Sequence, residues 1–577
     1  MTAKSLVRVG RIDELIGDGP FAVSADGLDI ALVRTGSGWR ALQGRCPHQG
    51  ALLGEGEIEA GALVCRNHRW RFDLADGARI GGPGCLAAYP ATERDGAVVV
   101  DLSGAAPAAK PAAARRPLTS VPGPKGLPVL GSALQLDTTR LHLILEEWSR
   151  AYGPTYQFRV RSNVVYVTRD LAMIEEALRA RPETFRRSRQ ADAALSEAGI
   201  RGVFNAEGVA WRPQRKLAVA ALAQRHLKAL YPHILTVAGR LRRRWGQAAA
   251  RGETLDVVEE MKRFTVDVTT LIAFGHDANT IDAPGDRIQD QIEIVLPTIA
   301  RRIVSPFPLW RYVRLPRDRR FDAAMAAVRR WLESMLSETR ARLAAAPERA
   351  AAPTNFIEAM TVAVDEDGRP FSDETILSNL ITMLIAGEDT TAYTLSWAVH
   401  ELSDNPRWQA ELRREADAVL AGADVARDAD AAGRLRAADA VAAETMRLRP
   451  AAPFFGVTAA VDTTLGGFSV PKGATILMLM RPNAVDPGRF ADPDAFRPER
   501  WLGEPAGPHD VAAYAPFGSG PRMCPGRSLA LIEMRVVLSM LCKAFTVERV
   551  GPAEAVAERF GFTMSPSGLA VRLTARA

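Results

Sequence analysis

Cysteine is scarce: five in 577 residues, an odd count. That argues against a disulfide framework and leaves metal ligation as the better use for some of them. Long apolar runs are missing too. None reaches the roughly 18 residues that span a bilayer, and the opening "MTAKSLVRVGRIDELIGDG" lacks the apolar core of a signal peptide. A soluble, cytoplasmic protein without a membrane span is expected. There is no internal repeat and no nucleic-acid motif, so no nucleic-acid partner is expected. No G-x-G-x-x-G follows a strand, and no stretch has room for a flavin module. Composition is otherwise ordinary, 47% hydrophobic and 24% charged.

The net charge of +6 is unevenly spread. Residues 1–103 hold 11 Lys+Arg and 13 Asp+Glu, a net −2, so the remainder carries +8. Basic clusters such as "RLRRRW" (Arg240 to Trp245) and "RLPRDRR" (Arg314 to Arg320) read as solvated helix faces.

The first hundred residues have strand character. "FAVSADGLDIALVRTGSGWRALQG" reads as two alternating segments joined at Gly36-Ser37-Gly38, and "ERDGAVVVDL" turns at Asp95-Gly96. The Ala/Pro-rich "SGAAPAAKPAAARRPLTS" follows and reads as a linker. Beyond a turn-rich entry, "VPGPKGLPVLG", long helical patterns dominate. The divisions are 1–103, a linker over 104–120, and 121–577.

Two cysteine-bearing stretches stand out. In "CPHQGALLGEGEIEAGALVCRNHRW", Cys46 and His48, then Cys65 and His68, form two mixed Cys/His pairs. Zinc can take two Cys and two His, but zinc fingers usually pair like with like. Mixed pairs suit a [2Fe–2S] centre with two thiolates on one iron and two imidazoles on the other. "CPHQGA" and "CRNHRWRFDLADG" resemble the two ligand loops of the Rieske family over about residues 5–102. The extra cysteine pair of respiratory-type members is absent, so the resemblance is to the ferredoxin and oxygenase type. Cys85 lies outside the motif and is expected to be a small buried hydrophobe.

The second stretch is "FGSGPRMCPGRSLALIEMR". Pro525 suits a first helical position, which places Cys524 at a helix N-terminus, where the dipole favours a thiolate. A cysteine nucleophile would need a catalytic histidine, and none is apparent; a thiolate haem ligand fits better. Phe517, Gly520, Arg522, Cys524 and Gly526 fill F-x-x-G-x-R-x-C-x-G, which resembles the haem loop of cytochrome P450. Further motifs occur in that family's order, over about residues 117–577. "AGEDTT" contributes Ala386, Gly387, Asp389 and Thr390; "ETMR" contributes Glu444 and Arg447; "RPERW" contributes Arg500; and Trp211 with Arg215 matches W-x-x-x-R.

The resemblance implies roles. Trp211 and Arg215 would meet a haem propionate. Many members carry a propionate-binding arginine in the strand after the ETMR helix, but "PAAPFFGVTAAVD" has none, so Arg215, Arg522 and Arg187 are the candidates. Glu444, Arg447 and Arg500 would form a structural charge triad. Gly387 would leave space over the iron. Thr390 would bond the Ala386 carbonyl and open the helix, and Asp389 would relay protons. Glu388 and Thr391 read as ordinary helix residues.

The expected fold is multidomain: a small all-β Rieske sandwich and a large mainly-α cytochrome P450 fold with small β regions. The expected cofactors are haem b on Cys524 and a Rieske-type [2Fe–2S] cluster. The expected function is a monooxygenase acting with dioxygen on a small apolar or aromatic molecule. Electrons would come through the fused cluster from a separate NAD(P)H-dependent ferredoxin reductase. The same haem could instead carry out desaturation, coupling or C–C cleavage, and a redox or gas sensor is a further alternative. A non-haem oxygenase would need two closely spaced histidines near a carboxylate, and the remaining six histidines supply no such pair. Arg187 to Phe204, Ile294 to Ile303 and Ala452 to Val457 are expected to line the substrate pocket.

Overall fold

The computed structural model describes residues 6–12, 15, 17–25, 28–36, 38–47, 50–66, 69–81, 84–103, 116–222, 224–283, 287–305, 307–351, 353–365, 368–503 and 507–576. The N-terminal strands are β1 (Leu6–Arg11), β2 (Phe21–Ala25), β3 (Leu28–Thr35), β4 (Gly38–Gln43), β5 (Glu57–Glu59), β6 (Ala62–Val64), β7 (Arg71–Asp73), β8 (Arg79–Ile80), β9 (Ala88–Tyr89), β10 (Ala91–Arg94) and β11 (Ala97–Asp101). They form three antiparallel sheets, ordered β1-β11-β10, β2-β3-β4-β9 and β5-β6-β7-β8.

Both expected hairpins form. Thr35 pairs with Gly38. Arg94 pairs with Ala97 around Asp95 and Gly96, whose φ values of 48° and 70° suit a tight hairpin turn. The stretch read as two strands is three, because Ala25 also pairs with Leu28; the intervening Asp26-Gly27 lies outside the described residues. One small core gathers Leu42, Cys46, Leu53, Leu63, Cys65 and Phe72; a second gathers Leu32, Trp39, Val98 and Val100.

The larger domain is mainly helical. Its helices are α1 (Leu141–Tyr152), α2 (Leu171–Arg179), α3 (Arg189–Glu197), α4 (Trp211–Ala221), α5 (Gln224–Arg251), α6 (Val257–Phe274), α7 (Arg287–Val304), α8 (Pro316–Ala345), α9 (Glu348–Ala351), α10 (Phe356–Val362), α11 (Asp373–Asp404), α12 (Pro406–Leu420), α13 (Ala429–Gly433), α14 (Arg436–Leu448), α15 (Arg481–Ala484) and α16 (Arg527–Ala544). A five-stranded sheet runs in the order Thr155–Val160, Asn163–Thr168, Thr475–Leu479, Phe454–Ala459, Phe185–Arg187. Among the described residues, no helix is long and apolar enough to cross a membrane.

α11 is the axis of this domain. Its Ser372 N-cap accepts from the Thr375 amide. The helix is buried on most sides, as an all-round apolar pattern requires. It is unbroken through Thr390, although an opening was expected there. The Thr390 hydroxyl does reach the Ala386 carbonyl, at 3.1 Å, without breaking the helix.

The linker ends earlier than expected. β12 (Arg116–Pro117) pairs in parallel with Phe468–Ser469, and the Arg116 guanidinium stacks 4.9 Å from the Phe468 ring centroid. Leu118 is 2% exposed, in a core with Ile174, Phe185 and Met478. Residues 116–120 therefore belong to the helical domain; residues 104–115 lie outside those described. Leu118→Ala should lower the unfolding free energy of this domain by about 2–5 kcal/mol, the usual cost of emptying a buried leucine site, as read in a denaturant titration.

Candidate functional site

The loop that presents Cys524 is set by close approaches. Gly520 has φ +72°, and a Cβ there would lie 2.3 Å from the Leu178 carbonyl oxygen, so only glycine lets the loop press onto the end of α2. The Cys524 amide donates to the Phe517 carbonyl at 2.9 Å. α16 begins at Arg527 with Gly526 as its N-cap, so Pro525 precedes the helix instead of opening it. The Gly526 amide is instead hydrogen-bonded to Cys524. Burial pushes the Cys524 thiol up; the Gly526 amide and the Arg215, Arg66 and Arg527 guanidiniums oppose it without cancelling it. The helix end alone does not make this cysteine a thiolate.

Buried Arg181 and half-buried Arg187 and Arg522 flank the loop. Arg522 donates to the Ala206 carbonyl and to Glu207, both at 2.6 Å, and stacks 4.4 Å from the Trp211 ring centroid. Its Nε and Nη1, and the Nε and Nη2 of Arg181, are buried with no hydrogen-bond partner. Arg187 donates to the Phe204 carbonyl at 2.7 Å. Burial pushes all three guanidiniums down, Arg522 to about 9 and Arg187 well below its ordinary range. Arginine keeps its proton in proteins, so a push of this size marks buried cations short of counter-anions. Orphaned donors and surplus positive charge are what two haem propionates would satisfy, and the residues present fit the cofactor.

Trp211 is buried, and Arg215 reaches Glu55 of the N-terminal domain, with Nε to Oε1 at 3.0 Å and Nη2 to Oε2 at 2.9 Å. Sequence reasoning missed Arg181, a buried cation near Arg522; its signal was a position in the arginine-rich "RARPETFRRSR".

On α11, Ala386 is exposed within an otherwise largely buried helix. Gly387 serves packing: a Cβ there would lie 2.5 Å from the Thr269 hydroxyl oxygen of α6. Asp389 and Thr390 face different groups. Asp389 Oδ1 lies 3.5 Å from Lys262 Nζ. Glu388 lies 3.9 Å and Glu293 3.8 Å from the same ammonium. Burial first, then the Asp389 charge, pushes Glu388 up to about 8. Lys262, on α6, was missed; its signal was a lone lysine within an amphipathic helix.

The expected charge triad forms around Glu444. Arg447 holds Glu444 through Nε at 2.9 Å and Nη2 at 2.8 Å, and Arg500 Nε adds a third bond at 3.0 Å. Trp501 Nε1 and the Arg497 amide complete the carboxylate at 2.9 Å each. Arg447 also ties down the Ala484, Pro493 and Ala495 carbonyls.

In the N-terminal domain, two loops close alike. The Cys46 amide bonds the Ala51 carbonyl and the Cys65 amide bonds the Trp70 carbonyl, at 2.9 and 2.8 Å. Cys46 and Cys65 are 3% and 1% exposed in one core. Two soft thiol donors brought together in this way fit one iron of a cluster. His48 and His68 lie outside the described residues. Cys85 is exposed, not buried, with Sγ near the Asp76 and Leu86 carbonyls; its place at a turn beside β8 explains that. Of the expected pocket segments, Ile294 and Ile303 pack against the apolar core of Ile299 and Phe321. Phe454 meets Phe560 at 4.9 Å between ring centroids.

Comparison with known proteins agrees with these two sites. The cytochrome P450 family model matches residues 121–573, and the Rieske [2Fe-2S] domain model matches residues 5–90. Human mitochondrial 25-hydroxyvitamin D-1 alpha hydroxylase is 29% identical over 463 residues, covering 75% of this chain and 88% of that protein. The cyclooctat-9-en-7-ol 5-monooxygenase of Streptomyces melanosporofaciens is 27% identical over 448 residues, covering 77% and 93%. The crystal structure of the cytochrome P450DA haem domain shares the fold, with a TM-score of 0.70 at 24% identity, over 79% of this chain and 98% of that one. The chain belongs to the cytochrome P450 family: it is a haem-thiolate monooxygenase joined to an N-terminal Rieske [2Fe–2S] domain.

Proposed function

We propose that this enzyme inserts one atom of dioxygen into a small apolar or aromatic molecule, RH + O2 + two electrons + two protons giving ROH + H2O. The electrons pass through its own Rieske domain from a separate NAD(P)H-dependent ferredoxin reductase. One contact carries the reading. Arg66, the residue after Cys65, donates to the carbonyl of Pro525, the residue after Cys524, at 3.2 Å. Arg527 returns a bond to the Arg66 carbonyl at 3.3 Å. The two cysteine loops thus face each other.

When bound, haem with a thiolate ligand supplies dioxygen activation, and the thiolate favours O–O cleavage. Cys524 is that ligand, and Cys46, His48, Cys65 and His68 hold the cluster. Arg181, Arg187 and Arg522 neutralise the propionates. Glu444, Arg447 and Arg500 hold the chain beneath the thiolate loop. Thr390 presents its hydroxyl at the open face of α11, anchored on Ala386. Burial pushes the Glu388 carboxyl up beside Asp389, and Lys262 lies within ion-pair reach of both. Glu293, with its side chain 41% exposed, links this cluster to solvent. A sensor would have no use for such proton supply.

Cys524→Ala should abolish the strongly red-shifted Soret band of the ferrous enzyme under CO; a surviving band in folded, haem-loaded protein would remove the ligand assignment. Thr390→Ala should bind substrate but release NAD(P)H-derived electrons as hydrogen peroxide, measured as product formed per NAD(P)H consumed. Full coupling would exclude the hydroxyl from proton delivery.

Glu388 gives a pH signature. Its folded value, about 8, lies above the ordinary 4.5, so the folded state binds the proton more tightly. Its contribution to stability is full below about pH 4.5 and is lost as pH rises through about 8. Wild-type thermal stability should therefore fall more across that window than that of Glu388→Gln. An infrared carboxylic C=O band should be missing in the variant.

A further inference from the structure

The two domains meet on a surface of buried charge. Glu55 Oε2 accepts from Arg66 Nη1 at 3.1 Å and from Arg215 Nη2 at 2.9 Å, so one carboxylate holds a guanidinium from each domain. The side chains of Glu55, Arg66 and Arg215 are 8%, 13% and 5% exposed. A second charge cluster lies alongside. Asp29 accepts from Arg45 at 2.6 Å and lies 3.5 Å from Arg212; Glu183 accepts from Arg212 at 3.0 Å and lies 3.7 Å from Arg45. Each domain supplies one acid and one base there. Arg45 also donates to the Arg179 carbonyl at the end of α2.

Glu55 is not on a loose loop. It ends the short helical turn Leu53–Glu55, and Leu53 is fully buried. A Cβ on Gly54 would lie 2.3 Å from the Ala22 Cα, so this turn is pressed onto β2. The carboxylate therefore projects from the body of the Rieske domain. Removing its charge would leave two guanidiniums buried without a counter-ion, a strongly destabilising state, and separating the domains relieves it.

We propose that Glu55 is a latch that keeps the Rieske domain seated on the Cys524 face of the haem domain through the catalytic cycle. This rests on the functional reading above, and it adds that the cluster domain does not swing. The reductase must then meet the Rieske domain on its outer surface, since the Cys524 face is covered by the chain itself. One electron leaves the reduced cluster and one enters the ferric haem without a diffusive encounter.

The test uses the full-length holoenzyme, with the cluster reduced by its NAD(P)H-dependent reductase. Wild type, Glu55→Gln and, as a control, Glu57→Gln are compared; Glu57 pairs with Arg69 at an exposed edge. Three quantities are read: relaxation enhancement of the cluster EPR signal by the haem iron, amide exchange over residues 211–216, and the first-order rate of haem reduction at saturating reductase against salt and viscosity. In wild type and Glu57→Gln, strong relaxation enhancement, slow exchange and a rate indifferent to salt and viscosity are expected, because a buried contact is screened little. In Glu55→Gln, weaker enhancement, faster exchange and a rate at least about tenfold lower and newly dependent on salt and viscosity are expected. If Glu55→Gln does not fold, Arg212→Gln, whose side chain is 37% exposed, should give the same changes from the second charge cluster. A Glu55→Gln protein indistinguishable from wild type, or a wild-type rate that slows with viscosity, overturns the latch. A wild-type protein with a reduced cluster, strong relaxation enhancement and no haem reduction overturns the electron route and leaves the latch standing.

Discussion

Glu55 sits between two buried guanidiniums that belong to different domains, and much of the architecture follows from having to compensate buried positive charge. Bringing a cluster loop against a thiolate loop buries Arg66, Arg215 and Arg527 together near Cys524. Such charges are tolerated when paired and hydrogen-bonded, and are costly when they are not. The carboxylate that solves this comes from the small domain. It thereby engages Arg215 through Nε and Nη2, while Arg181 and Arg522 keep buried donors with no hydrogen-bond partner.

The end of α2 serves both metal loops. Gly520 approaches Leu178 from the thiolate side. From the cluster side, Arg45 reaches the Arg179 carbonyl, and Gly50, at φ +67°, leaves room for the Arg179 side chain, where a Cβ would fall 2.6 Å from Cγ. One helix terminus thus sets the height of two loops that must face each other. The carbonyls at a helix end are unpaired within the helix, which is why a guanidinium from another domain can dock there.

Within α11 the same currency of buried charge does a different job. Glu388, Asp389 and Glu293 share Lys262, and burial, with the Asp389 charge beside it, pushes the Glu388 carboxyl up. The triad around Glu444 is the opposite case: five donors satisfy one carboxylate and fix its position.

The residue types and short spacings that carry cofactor chemistry were legible in the chain itself. Mixed Cys/His pairs, F-x-x-G-x-R-x-C-x-G, AGEDTT and the two arginine–glutamate motifs named both cofactors and the order of the domains. Hairpins at Asp95-Gly96 and Gly36-Ser37-Gly38 were also legible, since turn chemistry is local. Other features depended on residues far away in sequence. Arg215 could not be seen to prefer Glu55, 160 positions upstream. Gly387 was read as ligand space because Thr269, which fills it, lies on another helix. Leu118 looked like linker until its partners at Ile174 and Phe468 folded around it, and Cys85 looked buried by residue type alone. The sequence by itself determined which metals the protein uses, because ligand identity is a property of individual side chains at fixed short spacing. Only the tertiary structure decided which charges neutralise one another, because compensation of a buried ion is settled by whichever opposite charge the fold brings within bonding distance.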